Sequence, residues 1–276
     1  MSGEIVNSVS DTLNVSAESG SDTGWILHHI LDSRELFGVI PLPEIHLFGL
    51  DVSITQHVVF MWIAAVILII LLRRAANSYK KSLVPKGITN LLEVLVVFVK
   101  DEIVKPSIGK GYEKFLPFLL TVFFFILTCN FLGLIPGGAT STSNISVTAT
   151  LAVISFLVIQ GGGIVKNGLF GYFKGLIPHG IPLWLIPIMF VVEILGLFTK
   201  PFALAIRLFA NMTAGHIVIL ALIGLIFILK TPFVSPVSVM FALFIYLLEI
   251  LVAIIQAYIF TMLSALFIGM AVHQEH

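Results

Sequence analysis

The stretch Lys200–His216 reads KPFALAIRLFANMTAGH and lies inside an apolar run that extends from about Ile181 to Leu229. A second apolar run, at about 237–272, follows after a short polar break. As helices, these runs would be roughly 70 Å and 55 Å long, whereas a hydrocarbon core is ~30 Å thick. Either both helices are strongly tilted in a membrane, or the first is broken near Pro187 or Pro201.

The composition of the whole chain indicates a membrane protein. Of its 276 residues 58% are hydrophobic and 11% are charged, whereas a soluble domain carries about a quarter charged residues. Zero net charge offers nucleic acid no electrostatic attraction. Cys129 is the one cysteine and lies in an apolar run, which excludes a disulfide and cysteine-based metal or redox chemistry. The sequence has no Gly-rich phosphate loop, and we expect no cofactor and no metal.

We predict an all-α polytopic membrane fold with about five membrane-embedded helices and one interfacial amphipathic helix. The last two spans are long, strongly tilted and paired as an antiparallel hairpin. The segment at about 88–108 is apolar on one side and charged on the other, which favours a helix in the interface. Residues 1–50 are predicted to form an extension, and residues 51–276 the membrane domain. The predicted spans are about 54–72, 115–135, 145–165, 181–229 and 237–272.

The basic residues predict the orientation of the chain. With the N-terminus outside and five spans, eleven of the fifteen Lys and Arg residues fall inside, and Arg34 and Lys230 fall outside. The acidic 1–50 extension then lies on the outer side and the C-terminus in the cytoplasm. The first 25 residues lack the apolar core of a signal peptide, and we see no transit peptide. We therefore expect a bacterial inner (plasma) membrane.

Several ionisable residues interrupt the last two spans. They are Glu193, Lys200, Arg207, His216 and Glu249. A charge at the bilayer centre costs a few kcal/mol, which makes each of them a functional candidate. Lys200 can alternatively reach the interface, but Arg207 lies too far from either helix end. Glu193, Lys200 and Arg207 are seven residues apart and form one stripe, which Asn211 extends.

The hairpin predicts which polar residues lie at one depth. If it closes at residues 231–233, Arg207 comes level with Gln256, and His216 comes level with Glu249. An acid and an imidazole at one depth can pass protons. Arg207 stays protonated, so it can instead hold a carboxylate charged and block proton hopping.

Three functions are compatible with this pattern. A self-contained ion carrier needs an ion-binding carboxylate level with Arg207, and the hairpin offers only Gln256 there. The missing acid must then come from a partner. A membrane anchor that conducts nothing predicts that Arg207→Ala leaves ion flux intact. An ion-conducting subunit of a larger machine accommodates both the arginine and the absent acid.

Four segments resemble the membrane-embedded a subunit of F-type ATP synthases. Lys200–His216 resembles the most diagnostic segment of that family, and EILVAIIQAYIFTMLS at 249–264 resembles its last-helix motif. TCNFLGLIP at 128–136 and VEILGLFTKP at 192–201 also fit. The resemblance covers about residues 50–272, and residues 1–50 depart from it.

The resemblance implies a stator subunit beside a rotating ring of c subunits, held in lipid with the b subunits of the peripheral stalk. It would conduct ions without binding nucleotide, and the ATP chemistry would belong to partner subunits of the catalytic sector. Two half-channels would meet near Arg207, which would face the ion-binding carboxylate of the ring. The family's last two helices are tilted almost along the membrane. The coupling ion is a proton or, alternatively, sodium, because the ring site selects it.

The resemblance also implies roles for the polar residues. His216 and Glu249 match outer half-channel positions, and among family members the acid and its partner exchange places between the two helices. Asn211 and Gln256 match polar positions beside the arginine. Further ion-pathway residues are implied at Glu193, Lys200, Asn130 and Asn144. For the last two, which would line the outer opening, a role at a helix end or turn is the alternative.

Overall fold

The structure is a computed structural model that describes residues 35–36, 40–41, 46–47, 50–51, 54–80, 86–135, 140–175, 182, 184–229 and 234–273. Most of the predicted 1–50 extension therefore lies outside the described residues. The chain forms two compact units. One comprises Met1–His57 and Thr213–Ile250, and the other comprises Val58–Met212 and Leu251–His276.

Eight α-helices follow one another in the described part of the chain. Five of them are long and apolar enough to cross a membrane, which confirms the predicted fold class. The spans are α1 (Gln56–Tyr79), α4 (Leu116–Gly133), α5 (Ile145–Asn167), α7 (Ile186–Leu229) and α8 (Val234–Val272). The shorter helices are α2 (Ile88–Phe98), α3 (Lys105–Ile108) and α6 (Leu169–Gly175).

Helix α7 runs without a break for 44 residues, and α8 for 39 residues. Pro187 lies in the first turn of α7, where a missing N–H costs nothing, and the helix also continues through Pro201. The alternative of a break at either proline is therefore wrong. Helices of roughly 66 Å and 58 Å do not fit upright in a ~30 Å core, which leaves the tilted arrangement as the prediction.

The predicted interfacial helix is divided into three parts. A π-helical segment, Val99–Val104, joins α2 to α3. Its wider turn places Val99, Ile103 and Val104 in the apolar core, together with Ile108 of α3. The opposite face of α2 leaves apolar side chains exposed, so this segment contributes to the core as well as to the surface.

In the larger unit, glycines let the end of α8 approach its neighbours closely. A Cβ on Gly269 would lie 2.1 Å from the backbone oxygen of Ser107, and one on Gly163 would lie 3.0 Å from the oxygen of Ala271. The Asn167 amide donates to that same Ala271 oxygen at 3.0 Å. The end of α8 is thus held by backbone contacts that a larger residue would prevent.

In the smaller unit, the last part of α7 and the first part of α8 run antiparallel. The Ser238 hydroxyl donates to the Leu222 carbonyl across the pair. This unit also contains two antiparallel strand pairs, β1 (Glu35–Leu36) with β2 (Ile40–Pro41) and β3 (His46–Leu47) with β4 (Leu50–Asp51). The sequence did not indicate these strands, because two residues are too few to display an alternating pattern.

Candidate functional site

Arg207 lies on an exposed face of α7 in the larger unit, while Ala205 and Met212 are buried on the opposite face. It forms no ion pair or hydrogen bond with any other residue that the structure describes. A guanidinium carries five N–H donors and a permanent charge. Its position on an exposed, apolar helix face leaves those donors available to a group from outside the described chain.

An open groove of about 560 Å³ surrounds Arg207. Apart from Arg207, Lys200 and Thr199, its walls are apolar, with Leu263 and Phe267 of α8 on one side. We call it the arginine groove. None of the described residues that line it is acidic, so none of them can supply a carboxylate that faces Arg207.

Asn211 and Gln256 form a hydrogen bond in the same unit. The Asn211 amide donates to Gln256 Oε1 at 2.9 Å, and Gln256 is only 2% exposed. Gln256 therefore pairs with Asn211, four residues beyond Arg207. The level of Arg207 with Gln256 itself stays a prediction, since the reach of the two amide side chains does not fix the level of their helices.

His216 and Glu249 pair within the smaller unit, as the predicted register requires. The distance between His216 Nδ1 and Glu249 Oε1 is 2.8 Å. The contact lacks the alignment of a hydrogen bond, and neither carboxylate oxygen has a hydrogen-bond partner among the described residues. Glu249 is 4% exposed, whereas His216 is half-buried. The arrangement brings together a buried acid and a more accessible imidazole, the two groups that can exchange a proton.

Glu193 and Lys200 line a second cavity of about 300 Å³ in the larger unit, which we call the glutamate cavity. Gln160, Tyr172 and His273 also line it. The Tyr172 hydroxyl donates to Gln160 Oε1, and burial raises the pKa of the Tyr172 phenol above its ordinary value. The phenol therefore remains a hydrogen-bond donor at neutral pH.

His273 contacts two polar groups at the wall of the glutamate cavity. Its Nδ1 lies 3.4 Å from Lys166 Nζ, and its Nε2 lies 3.2 Å from the Lys110 carbonyl. A lysine ammonium can only donate and a carbonyl can only accept. These contacts fit an imidazole that carries its proton on Nε2.

Asn130 and Asn144 have structural contacts. Asn130 is 1% exposed, donates to the Ala253 carbonyl at 3.2 Å and accepts from the Thr142 hydroxyl at 2.6 Å. Asn144 caps α5, since its Oδ1 accepts from the Ser146 N–H at 2.8 Å. This geometry favours the helix-end and turn alternative for both asparagines over the outer opening.

Sequence reasoning passed over Tyr172, Phe267 and His273 and gave Gln160 no role. Three separate segments bring them to the cavities, and the hairpin spacing relates only two helices. Among these four residues, Gln160 alone could have been noticed from the sequence, because it is a polar residue within an apolar span. No three His, Cys, Asp or Glu side chains in the described ranges come together to hold a metal ion.

Fold and site together define a class: a polytopic helical membrane protein whose longest helix presents an arginine without a partner among the described residues. Comparison with known proteins is specific. The family model described as ATP synthase A chain matches residues 58–269. The chain is 58% identical to "ATP synthase subunit a" of Chloroherpeton thalassium over 259 residues, which cover 91% of this chain and 77% of that protein.

Two further relatives carry the same subunit name. "ATP synthase subunit a 2" of Chlorobaculum tepidum is 56% identical over 256 residues, covering 89% of this chain and 72% of that protein. "ATP synthase subunit a" of Myxococcus xanthus is 56% identical over 229 residues, covering 82% and 75%. The chain therefore belongs to the ATP synthase a-subunit family, the ion-channel component of the membrane sector, and is an integral membrane protein of the ATP synthase complex.

Proposed function

We propose that this chain is the proton-translocating stator subunit of a rotary ATP synthase, with Arg207 facing the ion-binding carboxylate of the c-subunit ring. The observation that carries the proposal is the exposure of Arg207 in an apolar groove, without an ion pair to another described residue. A charge left in an apolar setting is costly. A carboxylate from a partner offsets that cost, and its passage past the arginine would load and release ions.

Two half-channels supply the ions in this proposal. The outer route uses the His216–Glu249 pair, whose 2.8 Å contact suits proton exchange. The inner route uses Glu193 and Lys200 in the glutamate cavity. Asn211, held by Gln256, keeps a polar surface one turn beyond the arginine. Asn130 and Asn144 support the outer route by fixing the end of α4 and the start of α5.

The remaining assignments follow from the same proposal. Residues 51–276 form the membrane domain and residues 1–50 an outer extension, with the C-terminus on the cytoplasmic side of a bacterial inner membrane. The partners are the c ring, the b subunits and lipid, with the catalytic sector reached indirectly. The subunit catalyses no ATP chemistry itself. Its basic residues support the orientation, since eleven of fifteen fall on the inner side.

Photo-crosslinking tests whether the arginine face meets the ring. Ala203, which is exposed in the arginine groove one turn before Arg207, is replaced by p-benzoylphenylalanine in the intact complex. We expect an adduct with the c subunit after irradiation. The same replacement at Phe170, 91% exposed on α6 outside the spans, is the control and should give none. Absence of the c-subunit adduct from position 203 overturns the proposed placement.

The sodium-translocating version of the same subunit is the second candidate, because the ring rather than this chain selects the ion. Ion-driven ATP synthesis in sodium-free vesicles separates the two. Undiminished synthesis supports protons as the coupling ion, whereas synthesis that requires added sodium supports the alternative.

A further inference from the structure

The arginine groove and the glutamate cavity share one wall. Of the residues that line them, Lys200 and Phe267 border both. Lys200 lies on α7 and Phe267 on α8, and both belong to the larger unit. Whatever passes between the two spaces along this wall passes these two side chains.

Lys200 lies over the Phe267 ring, with 5.2 Å between Nζ and the ring centroid. This is within the range of a cation–π contact, in which the negative face of the ring attracts the ammonium. A lysine stem is flexible, so the charge can leave the ring without movement of the helix. The contact is therefore a movable cation at the junction of the two spaces.

The two spaces differ in chemistry. The glutamate cavity offers an acid, a phenol, an amide and an imidazole, at Glu193, Tyr172, Gln160 and His273. The arginine groove is almost entirely apolar around its two cations. Glu193 attracts cations into the first space, whereas the Lys200 ammonium at the junction opposes their entry into the groove.

We propose that Lys200 and Phe267 form a gate between the glutamate cavity and the arginine groove, and that Gln160, Tyr172 and His273 line the access to it. The inference rests on the proposed function, because it divides the inner half-channel into an access space and a ring-facing space. Phe267 is a positioning residue that holds the Lys200 ammonium at the junction. Movement of Lys200 off the ring opens the path.

Cysteine accessibility tests the gate in the intact complex. The background carries Cys129→Ala, which removes the one native thiol. Single cysteines replace Gln160 in the glutamate cavity or Ala203 in the arginine groove. A membrane-impermeant, positively charged methanethiosulfonate is added to the cytoplasmic side of inverted vesicles. We expect fast reaction at position 160 and slow reaction at position 203.

Substitutions of Phe267 then test whether the cation–π contact causes the slow reaction at position 203. Loss of a cation–π contact of about 1 kcal/mol corresponds to roughly fivefold, so Phe267→Leu should raise the reaction rate at position 203 by about that factor. The rate at position 160 should change less than twofold, and Phe267→Tyr, which keeps the ring, should react as the parent does.

Three results overturn the gate. They are a position 203 that already reacts as fast as position 160, a Phe267→Leu rate equal to the parent rate, and a Phe267→Tyr rate equal to that of the leucine variant. Subunit abundance in the vesicles confirms that each variant assembles. Thiol reactivity does not require coupled transport, so failure of the gate leaves the c-ring crosslink unaffected, and failure of the crosslink leaves the accessibility result standing.

Discussion

Gly215→Ala perturbs the His216–Glu249 pair without changing either residue. A Cβ at position 215 would lie 2.9 Å from Glu249 Oε1 and 3.1 Å from its Cδ, whereas ordinary contacts begin at 3.4 Å. The carboxylate must therefore retreat by about 0.5 Å, the difference between 3.4 Å and 2.9 Å. Glu249 is 4% exposed, so its neighbours leave little room, and its 2.8 Å contact with His216 is disturbed.

The size of the effect follows from the contact that is weakened. Between an imidazolium and a carboxylate, an increase in distance from 2.8 Å to about 3.3 Å weakens the attraction by about 0.9 kcal/mol at an effective dielectric constant of about 20, which corresponds to roughly a fivefold change in rate. We expect proton-driven ATP synthesis in vesicles to fall about fivefold, with the subunit still present in normal amounts. The carboxylate end of a flexible side chain can shift, so assembly should survive.

Gly161→Ala is the matched control, because a Cβ there has nothing within 4 Å. It should leave synthesis unchanged. If Gly215→Ala also leaves the rate unchanged at equal subunit abundance, the His216–Glu249 contact does not limit ion transfer and the outer route has been misassigned.

Three further predictions follow from other contacts. Gly269→Ala places a Cβ 2.1 Å from the Ser107 backbone oxygen, so immunoblotting should find little of this subunit in the membrane, while normal abundance would show that α8 moves freely. Asn144→Ala removes the α5 cap, which costs about 1 kcal/mol of stability. Heat-induced aggregation of the purified complex should therefore begin at a lower temperature, while the rate of ATP synthesis per assembled complex is retained. Loss of ATP synthesis would instead favour a role for Asn144 in the ion path. The double variant His216→Glu with Glu249→His keeps one acid and one imidazole at one level, so it should retain more synthesis than either single variant, and equal losses in all three would contradict an interchangeable pair.

The sequence predicted the spans because long apolar runs have few alternatives in a chain of this composition. Symmetry about a short turn was also enough to pair His216 with Glu249. The hydrogen bond between Asn211 and Gln256 was not predicted. It depends on the reach of two amide side chains as well as on the spacing of the two helices.

Other features depend on contacts between distant segments. The glutamate cavity combines Gln160 of α5, Tyr172 of α6 and His273 beyond α8 with Glu193 of α7, and no periodicity within one helix relates them. The π-helical segment Val99–Val104 is likewise set by packing against the core. The sequence marks Asn130 as a polar residue in an apolar span, but it does not show the two hydrogen bonds that Asn130 forms with distant segments of the chain.

The central claim is that Arg207 is the stator charge through which ion flow drives rotation. Its most direct test is ion-driven ATP synthesis in vesicles that carry Arg207→Ala, with passive ion leak through the membrane sector measured in the same preparation. Arg74→Ala, which removes an exposed arginine near the end of α1, is the matched control and should synthesise ATP normally. The account predicts that Arg207→Ala assembles normally, because Arg207 pairs with no other described residue, and that its coupled synthesis is abolished. Normal coupled synthesis in that variant would contradict the account.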